Sequence, residues 1–186
     1  MATTTTIPRR PLTWLITGCS RSSGLGIALA RVAAASGHTI IATSRDPSKI
    51  PDLVSEIQSK GHNSKFLPLD VNNVNRCGAI IEELERDGIH VDVLVNNAGY
   101  CTFSPVETST DAEVRAQMDT MYFGPLALIR ALVPRMRDRG FGTIVNISSG
   151  ASLEGNYCMG PYAGAKAALD GMSVLLECLV LCMVLQ

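Results

Sequence analysis

The chain has 186 residues, 46% of them hydrophobic and only 18% charged, with a formal net charge of −1. That length fits one domain with a sizeable core, and that composition excludes a disordered polymer. The near-neutral balance, without a long basic run, argues against nucleic acid as a partner.

Residues 1–11 are Thr-rich, hold Arg9-Arg10 between Pro8 and Pro11, and lack the apolar stretch of a signal peptide. They read as a short disordered tail, leaving 12–186 as a single domain. Beyond the tail, apolar runs alternate with helical patterns. Residues 12–17 are a compact apolar run, predicting a buried strand. Residues 25–36 are Ala-rich and helical, closed by Gly37. A β-branched strand is predicted over 39–44, a helix over 47–60 ending at Gly61, and a third strand over 64–69. A helix over 73–86 with Gly88 beyond it and a strand over 91–95 follow. Residues 111–139 predict a long helix that Pro125 and Pro134 kink or interrupt. A fifth strand is predicted over 143–147, and from Gly160 the pattern is helical to the end of the chain.

The predicted fold class is therefore α/β. Apolar strands without alternation imply a parallel sheet covered on both faces. Right-handed crossovers then give a doubly wound, Rossmann-like sheet ordered 3-2-1-4-5.

Six cysteines (Cys19, Cys77, Cys101, Cys158, Cys178, Cys182) are scattered without a C-x-x-C. With no secretion signal, they read as reduced thiols in a cytoplasmic protein. His38, His62 and His90 lie far apart, which speaks against a metal site. Residues 172–185 are apolar except for Ser173 and Glu177. The run falls short of the roughly 20 residues that span a bilayer, so a core or subunit-interface helix is the stronger reading.

Three places carry chemistry. The first predicted strand runs into Thr17-Gly18-Cys19-Ser20-Arg21-Ser22-Ser23-Gly24-Leu25-Gly26, with a helix behind it. Glycines let backbone approach a diphosphate, and a helix N-terminus offers free N–H groups and a positive dipole end. The second strand ends at Ser44-Arg45, where a basic residue accommodates a ribose 2′-phosphate and an acidic one would take the 2′-hydroxyl. Arg45, assisted by Arg21, thus favours NADP(H); the alternative is a solvated Arg at a strand end. Asp70-Val71 and Asn96-Asn97-Ala98-Gly99 mark the carboxyl ends of strands three and four, where open α/β sheets bind ligands.

The third place is Ser149 with Tyr162-Ala163-Gly164-Ala165-Lys166. A Tyr and a Lys four residues apart share one helix face. An ammonium beside a phenol favours phenolate, and such a Tyr is a general acid or base for an alcohol or carbonyl oxygen. Taken alone, that spacing also occurs on solvated helices.

In order and spacing these residues resemble the short-chain dehydrogenase/reductase family, from about Leu12 to about Leu176. The resemblance implies that Tyr162 exchanges a proton with the substrate oxygen, Lys166 tunes Tyr162 and binds the nicotinamide ribose, and Ser149 orients the substrate. It places Gly18, Ser20, Gly24, Leu25 and Gly26 along the pyrophosphate. It sets Asp70 and Val71 at the adenine, Asn97 and Ala98 at the adenosine ribose, and Gly99 at a close backbone approach. Family members commonly pair through the helices 111–139 and 160 onward, which implies a homodimer.

Three departures stand against the pattern. Five residues separate Gly18 from Gly24 where the family usually has three. Met121 occupies the place of an Asn that holds a water linking the catalytic Lys to solvent. The chain also reads as truncated, lacking the family's sixth and seventh strands and the segment that covers the substrate. The expected function is an NADP(H)-dependent oxidoreductase for a small-molecule alcohol or ketone. The alternatives are an impaired member acting as a nucleotide-binding or interaction protein, and a nucleotide-sensing regulator.

Overall fold

The computed structural model describes residues 8–61, 63–176 and 181–185, with side chains through Ser173. Six parallel strands form one sheet in the order β3-β2-β1-β4-β5-β6. They are β1 (Thr13–Ile16), β2 (Thr39–Ser44), β3 (Lys65–Pro68), β4 (Val93–Asn96), β5 (Thr143–Ile147) and β6 (Leu181–Leu185). The helices are α1 (Leu25–Ala35), α2 (Pro51–Gln58), α3 (Val74–Arg86), α4 (Asp111–Met118), α5 (Gly124–Asp138) and α6 (Gly160–Leu176).

Why the strands lack a polar face is visible in the packing. Successive residues point to opposite faces, and both faces are covered. Leu15, Ile41, Leu94 and Ile144 enter one core with Ile80, Ile81, Leu84, Leu128 and Leu132 of α3 and α5. Their neighbours Ile16, Ile40, Val95 and Val145 enter the other, against Ile27 and Ala30 of α1 and Leu53 and Ile57 of α2. Each fully buried Leu or Ile contributes roughly 1.5–3 kcal/mol. The two-sided burial holds the strand ends, and thus the loops beyond them, in fixed register.

The expected order 3-2-1-4-5 is present. The expected final helix is not continuous: it stops at Leu176, and Leu181–Leu185 add a sixth strand parallel to β5, pairing Thr143 with Leu181 through Ile147 with Leu185. Periodicity does not separate strand from buried helix in a short apolar run. The open edge of β5 offers unpaired backbone groups, and strand pairing satisfies them.

The expected helix over 111–139 is also divided. Residues Asp119–Phe123 form a π-helical turn between α4 and α5, directly before Pro125. Pro125 has no N–H to continue the ladder, so the break falls in the turn it would have closed. Pro134 sits inside α5 without ending it.

The tail reading lies outside the described residues up to Ile7. Arg10, assigned to that tail, instead clasps Asp92 with two bonds of 2.8 and 2.7 Å. Asp92 also accepts the Thr13 N–H at 3.0 Å, which fixes the start of β1. His62 and the side chains of Cys178 and Cys182 lie outside the described residues. Cys19, Cys77, Cys101 and Cys158 are free thiols. Burial pushes the Cys19 thiol up to about 12 and the Cys77 thiol up to about 11, so both behave as small core hydrophobes. Among the described residues no helix is long and apolar enough to cross a membrane, and no cluster of His, Cys, Asp or Glu could hold a metal.

Candidate active site

The loop after β1 is shaped by close backbone approach. Gly18 has φ +74°, a conformation that costs side-chain-bearing residues. A Cβ there would sit 2.7 Å from the Ala98 Cα, and one at Gly26 would sit 2.7 Å from the Asn97 Nδ2. The space a side chain would need is taken by the loop after β4. Asn97 secures this join: its Nδ2 donates to the Thr17 carbonyl at 2.8 Å, and the Thr17 Oγ1 accepts the N–H groups of Asn97 and Ala98 at 3.0 Å each. The loops after β1 and β4 thus form one rigid floor.

Helix α1 starts from Gly24 with no side-chain cap and no acidic residue in its first turn. α4, by contrast, closes its own N-terminus with a reciprocal Thr110–Glu113 capping box, and α3 uses Asn73. The first N–H groups of α1 therefore remain open to a ligand.

Above this floor runs a cavity of about 1150 Å³ along the carboxyl ends of the strands. Gly18, Ser20, Arg21, Gly24 and Leu25 line its loop side; Asn97, Ala98 and Gly99 line its floor. Arg45 lines the end near β2, and Asp70 and Val71 the end near β3. Gly26 is not among the lining residues; it supports the floor from beneath. The cavity can hold an extended dinucleotide: it is long, its floor is glycine-shaped, and its helix end is uncapped.

Asp46 follows Arg45 in the same wall and is an acid where one could compete for a ribose hydroxyl. Its oxygens are already engaged. Oδ1 accepts the Ser48 N–H at 3.1 Å and the Ser48 hydroxyl at 2.5 Å, and Oδ2 lies 3.3 Å from the Lys49 Nζ. The Ser48 hydrogen bond first, and Lys49 with it, holds the Asp46 carboxyl below its usual range. Arg45 is left as the free charged side chain of that pair.

A second cavity of about 170 Å³ opens beside the first and shares Asn97, Gly99, Tyr100 and Cys101 with it. Tyr162 and Lys166 line it, one helical turn apart on α6. The Lys166 Nζ lies 5.8 Å from the centre of the Tyr162 ring. Lys166 is buried and donates to the Ile147 carbonyl at the end of β5. Desolvation lowers its ammonium to about 8, against a pull from Asp170 in the other direction. It therefore remains charged at neutral pH.

A polar chain beneath the site ties α6 to the sheet. The Asn96 amide donates to the Asn146 Oδ1 at 2.7 Å, the Asn146 amide to the Ser173 Oγ at 2.8 Å, and Ser173 to the Leu169 carbonyl at 2.8 Å. Two adjacent serines close the site differently. The Ser148 hydroxyl is buried, has no hydrogen-bond partner among the described residues and lines the small cavity. The Ser149 oxygen caps the turn Gly150–Ser152, accepting the Ala151 N–H at 3.2 Å, and Ser149 is not among the lining residues. Met121 is buried in the π-helical turn. Its sulfur would lie 3.3 Å from a Cβ at Gly99, where the Lys166 Nζ would lie 3.8 Å away. Met121 and Lys166 thus both border Gly99.

The profile of the short chain dehydrogenase family matches residues 13–180. This chain belongs to the short-chain dehydrogenase family. Among curated relatives, the family member claN of Passalora fulva, named an oxidoreductase, is 39% identical over 162 residues, covering 87% of this chain and 72% of its own. A short-chain dehydrogenase of Streptomyces avermitilis superposes with a TM-score of 0.84 at 35% identity, over 96% of this chain and 65% of that one. A gluconate 5-dehydrogenase of Burkholderia cenocepacia, solved with NADP and tartrate, superposes with a TM-score of 0.82 at 29% identity, over 90% and 65%. The chain spans from 44% to 72% of the length of such curated relatives, and little more than half of most of them.

The sequence reading missed several wall residues of this family member. Asn72 and Thr120 line the large cavity and are joined by a 2.8 Å bond from the Thr120 hydroxyl. Tyr100 and Cys101 follow Gly99 and border both cavities, and Phe103 lines the large one. Their position after the carboxyl end of a strand was the available signal.

Proposed function

We propose that the chain carries an NADP(H)-dependent oxidoreductase site that interconverts a carbonyl and an alcohol, with Tyr162 as the acid/base. The observation that carries this reading is the junction of the two cavities. The large one, with its glycine floor, shares Asn97, Gly99, Tyr100 and Cys101 with the small one lined by Tyr162 and Lys166. A nicotinamide cofactor, when bound, supplies or accepts the hydride at its C4 position.

The chain's own residues have distinct tasks. Gly18, Ser20, Gly24 and Leu25, with Gly26 behind them, hold the pyrophosphate against the uncapped N-terminus of α1. Arg45 and Arg21 meet the 2′-phosphate, and the engaged state of Asp46 removes the competing acid. Asp70 and Val71 border the adenine, while Asn97, Ala98 and Gly99 carry the ribose over the floor. Lys166, charged at neutral pH, stands one helical turn from Tyr162 and binds the nicotinamide ribose. Tyr162 holds the proton that moves to or from the substrate oxygen. The Ser149 oxygen accepts from Ala151, so its O–H proton is available to orient that oxygen. The buried Ser148 hydroxyl is available to the same oxygen.

The proposal extends to a cytoplasmic protein, and to a homodimer formed through α4, α5 and α6. A second reading, an impaired member that binds nucleotide without turnover, is favoured by Met121. A thioether is at best a weak acceptor and cannot donate, so it gives Lys166 no water anchor.

The test is NADPH oxidation by purified protein with a panel of ketones and aldehydes. The first reading expects turnover that Tyr162→Phe reduces by about 100-fold or more, the usual worth of a positioned acid/base, with NADPH affinity retained. NADPH binding without turnover in the parent chain would favour the second reading.

A further inference from the structure

The spacer between Gly18 and Gly24 is two residues longer than the family usually has, and all of Arg21, Ser22 and Ser23 is exposed. Such a loop would ordinarily be mobile. Here it is held from outside by Arg31 of α1. The Arg31 Nη1 donates to the Ser22 carbonyl at 2.9 Å. The same guanidinium forks onto Glu56 of α2, Nε to Oε1 at 2.7 Å and Nη2 to Oε2 at 2.8 Å. On the inner side, the Gly24 N–H donates to the Arg21 carbonyl at 3.0 Å. The carbonyls of the Arg21–Ser22 and Ser22–Ser23 peptide units, which follow Arg21, are thereby both held, and Arg21 lines the large cavity with Arg45.

From this geometry we infer that Arg31 is a positioning residue for cofactor selectivity. Anchored by Glu56, it holds the Ser22 carbonyl so that Arg21 stands beside Arg45 as the second cation for a ribose 2′-phosphate. The inference rests on the NADP(H) reading of the site. An exposed ion pair adds little stability. A planar fork with a third donor on a carbonyl fixes direction instead, which an ammonium could not do. Arg31 and Glu56 also join the helix behind the phosphate loop to the helix that follows Arg45. The brace thus spans the two segments that must meet one phosphate.

The experiment compares the parent chain with Arg31→Met and Glu56→Gln. It uses fluorescence titration with NADPH and with NADH, thermal unfolding, and trypsin cleavage after Arg21 followed by mass spectrometry. Arg31→Met is expected to weaken NADPH roughly tenfold, the loss of about one charge-assisted contact. NADH affinity and the unfolding midpoint stay as in the parent, and cleavage after Arg21 accelerates. Glu56→Gln gives the same changes with smaller amplitude. The inference is overturned if the parent prefers NADPH and Arg31→Met keeps the same NADPH/NADH ratio. Equal loss of both cofactors, or cleavage after Arg21 at the parent rate, also overturns it. A parent chain that binds neither cofactor overturns the NADP(H) reading itself, and is told apart because it appears before any substitution is made.

Discussion

The two ends of the cavity are built differently. At the glycine-loop end the floor is committed to itself, Thr17 and Asn97 welding two loops, and Asp46 in the wall is engaged by Ser48 and Lys49, while the first N–H groups of α1, Arg45 and the buried Ser44 hydroxyl stay open to a ligand. At the Tyr162 end, polar groups are left open. Among the described residues the buried Ser148 hydroxyl has no hydrogen-bond partner, and Lys166 makes one bond, to a carbonyl. A floor whose polar groups are satisfied is pre-organised, whereas unpaired buried polar groups cost free energy until something meets them. The comparison teaches that nucleotide binding and chemistry place separate demands on this fold, so substitutions should separate them.

Four substitutions sharpen that separation, taken from the largest effect to the smallest. Gly18→Ala should do most damage. A left-handed residue costs about 1–3 kcal/mol when it carries a side chain. The added Cβ also meets the Ala98 backbone, which has no way to yield. A fall of roughly 4–10 °C in the unfolding midpoint is expected, together with loss of NADPH binding. Calorimetry and titration check both.

Next is the clasp at the base of β1, remote from either end of the cavity. Burial alone would raise the Asp92 carboxyl; the Arg10 hydrogen bonds and the Thr13 N–H overcome this and hold it below its usual range. A depressed carboxyl contributes stability that is fully present above its unfolded value, about 3.9, and is lost as pH falls through its folded value. Stability from this pair should therefore be flat from pH 7 to about 5 and decline below about pH 4. Arg10→Met should lower the plateau by about 1–2 kcal/mol, since Arg10 is half exposed and the full cost of a broken buried pair does not apply. Denaturant unfolding across pH measures it, with NADPH affinity unchanged.

At the nucleotide end, Arg45→Asp should exchange a cation for an acceptor of the ribose hydroxyl and reverse the preference from NADPH to NADH. Equal affinities for the two cofactors in the parent chain would count against the assignment of Arg45. At the chemical end, Met121→Asn should raise turnover while leaving cofactor affinity alone, because an amide can anchor a water where a thioether cannot. A parallel change in both ends from either substitution would break the proposed separation.

Local pattern carried the features that were legible in the sequence. Continuous apolar strands implied two-sided burial, and the split of Leu15 from Ile16 and of Ile40 from Ile41 into two cores is its realisation. The glycine spacing after β1 located the floor, and the four-residue step from Tyr162 to Lys166 located the open end. Tertiary structure alone decided the partners. Arg10 finds Asp92 82 positions away, and Arg31 finds Glu56 25 away. Ser148, not Ser149, lines the small cavity. The apolar stretch read as continuing helix pairs as β6 with the free edge of β5. The physical reason is common to all of these. Periodicity fixes which face a residue occupies on its own element, but a hydrogen-bond partner or a sheet edge belongs to another element. Which groups meet is settled only when the elements pack.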